Sequence, residues 1–445
     1  IPLPRERVFA WYQRPGALAR MSPPGWGDIP RGVRELTDVG DEMTLKGSHP
    51  LLAVTPGGSK LPMEPGLATL TELVPGSSHT VTVRQGKFEF AQHSTFEDSP
   101  GGTRVTSRVV GKLPPGAESP MRNQFRFLHQ QAAADLAFLE RLGWPEARTI
   151  AVAGSSGLVG TQLVGLLRMA GHRVIQLVRD GAIHDDEVVW DPTRHHLPGS
   201  VVEEADVIVN LAGHTIGGRF SEENKRLIQQ SRVHATTTLA RALAVAPEGK
   251  TLIQASAVGI YGARRPGELL TEESPRGDGF LADVVAAWEY AAEPAREAGV
   301  RTAFVRTGIA LSYGGGALQR QIPLYLVGAG GRLGPAHHML PWIDLDDLVR
   351  AYVHAIFTPS LTGPVNAVAP EPVTNAEFAS TLGAVLKRPA ALPTPAFGPK
   401  LLLGSEGYDQ LINTDQRVSA QKLLDSGFEF AYPTLEPALR HELLR

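Results

Sequence analysis

The stretch AVAGSSGLVGTQL, from Ala151 to Leu163, constrains the fold more than any other part of this chain. Gly154, Gly157 and Gly160 come after an apolar run, TIAVAG, and open an apolar-periodic one, LVGTQLVGLLRMAG. Strand, glycine turn and helix in that order make a βα unit. Gly154 permits a tight turn, Gly157 lets the backbone approach a diphosphate, and Gly160 lets the helix pack close to the strand. The helix N-terminus then turns unpaired N–H groups and a positive dipole end towards the phosphates. Gly154, Ser155, Ser156, Gly157, Leu158, Val159 and Gly160 are therefore the expected cofactor-binding turn.

The chain beyond this turn repeats the pattern. HRVIQLVRD, ADVIVNLAG, TLIQASAVGIYG and RTAFVRTGIAL read as strands, with helical segments such as SEENKRLIQQSRVHATTTLARALA between them. Strands apolar on both faces and separated by helices imply a parallel sheet covered on both sides. From about Glu371, EPVTNAEFASTLGAVLKRP and RVSAQKLLDSGFEF read as short helices, the first started by Thr374 or Asn375 and the second ended by Gly427. The chain before the turn differs. HTVTVRQGKFEFAQHSTFED and GGTRVTSRVVGKL alternate with period two, as antiparallel strands do. MRNQFRFLHQQAAADLAFLERLG then has the three-and-four spacing of one long amphipathic helix, stopped by Gly143 and Pro145. The expected domains are 1–145, an α+β unit; 146–370, a doubly wound Rossmann-type α/β unit; and 371–445, a small helical substrate-side unit.

Composition narrows the function classes. The chain has 445 residues, 42% hydrophobic and 20% charged, the profile of an ordinary globular protein. A net charge of −3 gives no basic footprint for nucleic acid. No apolar run reaches membrane-spanning length, and IPLPRERVFAWYQ lacks the layout of a secretory signal. A cytoplasmic location is the expectation. The absence of cysteine removes disulfides, thiolate metal sites and cysteine nucleophiles. His195-His196 and His337-His338 are adjacent pairs without ligand spacing, and no metal is expected.

The second strand indicates which dinucleotide. An NAD site ends this strand with an acid for the ribose hydroxyls, whereas VIQLVRD puts Val178 and Arg179 there, ahead of Asp180. A guanidinium suits the 2′-phosphate of NADP, so NADP is favoured, with NAD and Asp180 as the lesser alternative. Asn210, Leu211, Ala212, Gly213 and Ser256, at later strand ends, are expected to line the crevice at the carboxyl edge of the sheet.

GSSGLVG, NLAG, SAVGIYG, RTGIAL and WIDLDDLVRA, in this order, resemble the extended short-chain dehydrogenase/reductase superfamily. Trp288-Glu289, GGRLGPAHHMLPWIDLDD, GPVNAVAP and QRVSAQKLLDSGFEF are similar to its atypical branch of NAD(P)-binding, nucleoside-diphosphate-sugar epimerase-like proteins, some labelled cell-division inhibitors. The resemblance runs from Thr149 to the C-terminus. Its last seventy or so residues resemble that branch's C-terminal domain of uncharacterised function. LPRERVFAWYQRPGALARMSPPGW resembles instead the opening of START-like, helix-grip proteins of the polyketide cyclase type. That likeness implies a sheet wrapped on a long helix around an apolar cavity, and hence an apolar ligand.

The superfamily resemblance implies Ser/Thr, Tyr and Lys catalysis, with Tyr and Lys four apart on one helix. If Glu289 matches the glutamate that follows this pair, its places are held by Leu281 and Val285, which transfer no proton. Tyr261, Ser256 and His214 remain as catalytic candidates. Tyr261 is a proton donor or a pocket wall, and His214 a general acid/base or a plain loop residue. Trp288 is expected to pack, and Asp347 to be a helix-start acid with Asp344 or Asp346 as cap. Two functions stay open. One is an NADP-dependent epimerase or reductase acting on a small substrate, nucleotide-linked or not. The other is an NADP(H)-binding sensor or interaction protein whose helix-grip unit takes an apolar ligand.

Overall fold

The computed structural model describes residues 1–23, 36–45, 66–113, 116–390, 393–395 and 397–445. Pro24, Gly25 and Trp26, which end the helix-grip-like opening segment, lie outside the described residues. The chain forms two compact units. Unit 1 holds Ile1–Pro145, Val164–Gly171 and Leu443–Arg445, and unit 2 holds Glu146–Leu163 and His172–Glu442.

Unit 1 begins with helices α1 (Arg5–Gln13) and α2 (Ala17–Met21). Strands β1 (Glu42–Leu45), β2 (Gly66–Val74), β3 (Ser78–Gln85), β4 (Phe88–Ser99) and β5 (Gly102–Lys112) form one antiparallel sheet in sequence order. Helix α3 (Glu118–Arg141) comes next, burying Ala132, Leu136 and Leu139 at the expected spacing. Its first turn packs Met121 with Phe90, Val83 and Val109 of the sheet. Arg20 and Asp135, both without exposed side-chain surface, form a two-pronged ion pair at 2.7 Å on each prong.

Unit 2 is built on β6 (Thr149–Ala153), α4 (Leu158–Met169, shared with unit 1), β7 (Arg173–Val178), β8 (Glu187–Val189), α5 (Gly199–Glu204), β9 (Val207–Asn210) and α6 (Glu222–Val245). It continues through β10 (Thr251–Ala257), β11 (Arg264–Leu270), α7 (Phe280–Tyr290), α8 (Glu293–Glu297), β12 (Arg301–Thr307), β13 (Ile309–Leu311) and α9 (Gly316–Leu326). Then come β14 (Met339–Leu340), β15 (Trp342–Asp344), α10 (Leu345–Phe357) and β16 (Gly363–Ala367). The remainder is β17 (Val373–Thr374), α11 (Asn375–Leu386), α12 (Phe397–Leu411), β18 (Asp415–Val418), α13 (Gln421–Asp425) and α14 (Leu435–Glu442).

Seven parallel strands order as β8-β7-β6-β9-β10-β12-β16. The chain runs outward from β6 to β8, then returns to β9 on the other side of β6. That reversal between β6 and β9 is the switch point at which such sheets open a crevice. One face packs Ala151, Ile208, Leu252 and Phe304 against Leu239 and Leu243 of α6. Each fully buried aliphatic side chain of this kind contributes about 1.5–3 kcal/mol. The C-terminal helices have the expected punctuation. Thr374 and Glu377 form a reciprocal capping box on α11, and Gly427 (φ +89) sits just after α13. Strand β18 pairs with β11, tying this region to the loop after β10. Among the described residues no helix is long and apolar enough to cross a membrane.

Candidate functional site

The glycine turn joins β6 to α4 at the switch point. Gly154 has φ +78, and a Cβ there would lie 2.7–2.9 Å from backbone atoms of Leu211 and Ala212. A Cβ on Gly160 would overlap the carbonyl oxygen of Gly154, so only glycine lets the helix start so close to the turn. Gly157 is less constrained, 3.3 Å from the same oxygen. The two loops of the switch point therefore touch through backbone alone. Leu158 begins α4, and Ser155 is buried. Arg179 and Asp180 come directly after β7, and both are exposed.

Asn210 ends β9 fully buried, and its side chain is committed within the protein. Its Nδ2 donates to Thr236 Oγ1 (3.1 Å) and Gln254 Oε1 (3.0 Å), while its Oδ1 accepts from the Ala212 N–H at 3.1 Å. It thereby holds the loop after β9 through the Ala212 N–H.

Beyond β9 a row of polar side chains crosses the sheet. Ser256, Arg306 and Asn366 are register partners on β10, β12 and β16, and so share one face. Ser256 donates to Glu289 of α7 at 2.6 Å, and Arg306 grips both oxygens of the same carboxylate at 2.9 Å. Burial opposes the charge on Arg306, but the Glu289 hydrogen bonds and charge outweigh it and raise its pKa. The third guanidinium nitrogen, Nη1, donates to the Tyr261 oxygen at 3.1 Å. Tyr261 in turn donates to Asn366 Oδ1 at 2.7 Å, and Glu272 accepts from the Asn366 N–H at 2.7 Å.

This network changes the reading of Tyr261. Its side chain has no exposed surface and its hydroxyl is bonded on both sides. Burial raises its pKa despite Arg306. Ser256 is 4% exposed and engaged with Glu289. His214 is half-buried, its Nε2 3.0 Å from Asn224 Oδ1, with Nδ1 making no hydrogen bond among the described residues. Leu281 and Val285 lie 3.6 and 3.8 Å from where a Cβ on Gly259 would stand, facing the turn after β10. Val285 packs with Val258 and Tyr261 there.

Sequence reasoning used Glu289 only as an alignment mark and missed Arg306, Asn366 and Glu272, because only strand register brings them together. It also passed over a buried carboxyl cluster. Asp344, the N-cap of α10 and one of the two expected caps, lies with Asp346 and Glu442 so that ligand atoms fall within 4.8 Å of one another. Burial, then Glu442, Asp346 and Asp347, push the Asp344 carboxyl well above the usual range. Burial and neighbouring negative charge both oppose ionisation of this carboxyl.

A doubly wound parallel sheet, with a glycine turn at its switch point and polar side chains at its carboxyl edge, defines a Rossmann-type α/β protein. Residues 150–367 match the NAD dependent epimerase/dehydratase family, and residues 394–442 match a domain of unknown function. The chain is 39% identical over 297 residues to an epimerase family protein of Mycobacterium bovis, covering 66% of this chain and 98% of the relative. It is 34% identical over 296 residues to human epimerase family protein SDR39U1, covering 65% and 98%. Among solved structures, a nucleoside-diphosphate sugar epimerase from Corynebacterium glutamicum matches with TM-score 0.81 and 34% identity, over 100% of this chain and 88% of that one. Human SDR39U1 with NADPH matches with TM-score 0.58 and 30% identity, over 66% and 98%. The chain belongs to the epimerase family.

Proposed function

We propose that unit 2 binds NADP(H) in the switch-point crevice and serves an epimerase or reductase reaction on a small, nucleotide-linked substrate. The observation that carries this reading is the Gly154–Gly160 cradle, where added Cβ atoms would strike backbone. The human relative's structure with NADPH and the name of the Corynebacterium relative point the same way. When bound, the dinucleotide supplies or accepts a hydride. Ser155 to Gly160 hold the diphosphate through backbone N–H groups, and exposed Arg179 takes the 2′-phosphate. Leu211 to Gly213 wall the nicotinamide side, held by Asn210. Ser256 fixes the inner end of the crevice through Glu289, and His214 carries a ring nitrogen available to move a proton.

A second reading, a sensor that binds the cofactor with little turnover, is favoured by Leu281 and Val285 on α7 and by the buried hydroxyl of Tyr261. On either reading Ile1–Pro145 is a helix-grip unit for an apolar ligand. The residues from 371 onward form a substrate-side unit, and the protein is cytoplasmic. The experiment is titration with NADPH and NADH by fluorescence, then hydride-label exchange with carbonyl and sugar-nucleotide substrates. Tight NADPH binding with exchange supports the enzyme, and tight binding without exchange supports the sensor. No binding of either dinucleotide overturns both.

A further inference from the structure

A cation sits beside this crevice without a counter-charge. Arg232, on α6, has no carboxylate partner among the described residues, and burial pulls its pKa down to about 10. It still carries its charge near neutral pH, because 10 lies above 7. One nitrogen, Nη1, donates to the carbonyls of His214 (2.9 Å) and Ile228 (3.0 Å). One face of the plane is covered, with Cζ 5.0 Å from the Trp288 ring centroid. That leaves the edge formed by Nε and Nη2, which makes no hydrogen bond among the described residues. The Nε/Nη2 edge of a guanidinium matches two oxygens of a carboxylate or phosphate.

The position of that edge is informative. Gly213 is exposed, and a Cβ there would stand 3.1 Å from Cζ and 3.3 Å from Nη2 of Arg232. Glycine thus keeps the guanidinium edge uncovered on the loop that touches the Gly154 turn. A second donor waits nearby, since the Trp288 Nε1–H is buried with no hydrogen-bond partner. Trp288 precedes Glu289, the acceptor for Ser256. Arg232 therefore touches the Gly213 loop on one side and Trp288 of α7 on the other. Helix α7, FLADVVAAWEY, contributes no lysine or arginine of its own. Arg232 is half-buried, and the three N–H hydrogens of its Nε/Nη2 edge are left for a ligand or solvent to meet.

We propose that Arg232 is a ligand-binding residue, its Nε/Nη2 edge receiving an oxyanion, phosphate or carboxylate, of a molecule lying in the crevice. The oxyanion belongs either to the dinucleotide's diphosphate or to the second ligand, so this deepens the reading of the crevice as a binding site and rests on it. The test compares wild type with Arg232→Lys, which keeps charge but loses the edge, and Arg232→Met. NADPH and NADH are titrated by fluorescence, and inorganic pyrophosphate and UDP by calorimetry, with and without saturating NADPH.

Tenfold or greater weakening of NADPH and NADH alike, in both variants, assigns the site to the dinucleotide. Dinucleotide affinities within twofold, with UDP or pyrophosphate binding weakened tenfold or more, assign it to the second ligand. Folded variants in which every affinity stays within twofold of wild type overturn the proposal. So does a wild type that binds neither UDP nor pyrophosphate while its NADPH affinity ignores Arg232. If Arg232→Met does not fold, Arg232→Gln is read with Arg232→Lys by the same criteria. A wild type that binds pyrophosphate through Arg232 but no dinucleotide would sink the cofactor reading and leave this one standing.

Discussion

Replacing Glu289 by alanine isolates the network at the carboxyl edge of the sheet. In the folded protein the Glu289 carboxylate meets both prongs of Arg306 and the Ser256 hydroxyl, with side-chain exposures of 16% for Glu289 and 9% for Arg306. Removing one partner of a buried ion pair leaves the other charge uncompensated, at about 3–5 kcal/mol. The orphaned Ser256 hydroxyl adds about 1 kcal/mol. The expected loss is thus about 4–6 kcal/mol, and a Tm lower by roughly 7–10 °C for a unit of this size. Urea titration or calorimetry reads it, with the transitions of the two units fitted separately. Adding Arg306→Met to Glu289→Ala removes the stranded charge, so the double variant should lose less than the sum of the two single ones. A single-variant loss under about 1 kcal/mol would mean that the pair behaves as an exposed one, and the reasoning would fail.

The same geometry sets other outcomes. Gly160→Ala forces α4 away from the turn and should weaken NADPH at least tenfold in the fluorescence titration, with little change in far-UV circular dichroism. Arg179→Ala should weaken NADPH roughly tenfold, the loss of one charge-assisted contact of about 1.4 kcal/mol, and leave NADH unchanged. Equal losses for both dinucleotides would remove Arg179 from the 2′-phosphate. Tyr261→Phe strips Asn366 of a buried donor and should cost about 1–3 kcal/mol of stability in urea while NADPH affinity holds. In unit 1, burial and then the nearby His93 pull the His79 pKa from 6.5 to about 4, and its Nδ1 lies 3.1 Å from Gln13 Nε2. The unfolded chain then binds the extra proton between pH 6.5 and 4. Stability should fall by about 3 kcal/mol as pH drops through that window and level off below it. His79→Gln should flatten that slope in denaturant titrations at stepped pH.

The parts legible in the sequence have local causes. Gly154 and Gly160 announce a βα turn because no other residue fits there, and Thr374, Asp344 and Gly427 act on the helix beside them. Apolar runs such as TIAVA and VIVN report a parallel sheet because both faces are covered. The network residues carry no such mark. Tyr261 finds Asn366 across 105 positions, and Arg306 finds Glu289 only once α7 has docked on the sheet. Arg232 reads in sequence as one more polar position on α6, and its isolation appears only when its neighbours are in place.

The register that aligns Ser256, Arg306 and Asn366 also bears on how the sheet assembles. A slip of one residue in β12 would turn Arg306 to the opposite face, away from Glu289, and carry Val305 into its place. Such a sheet would bury a guanidinium with no anion and strand two oxygens on α7. The correctly paired strands escape both costs at once, so this polar row favours the observed register over its neighbours.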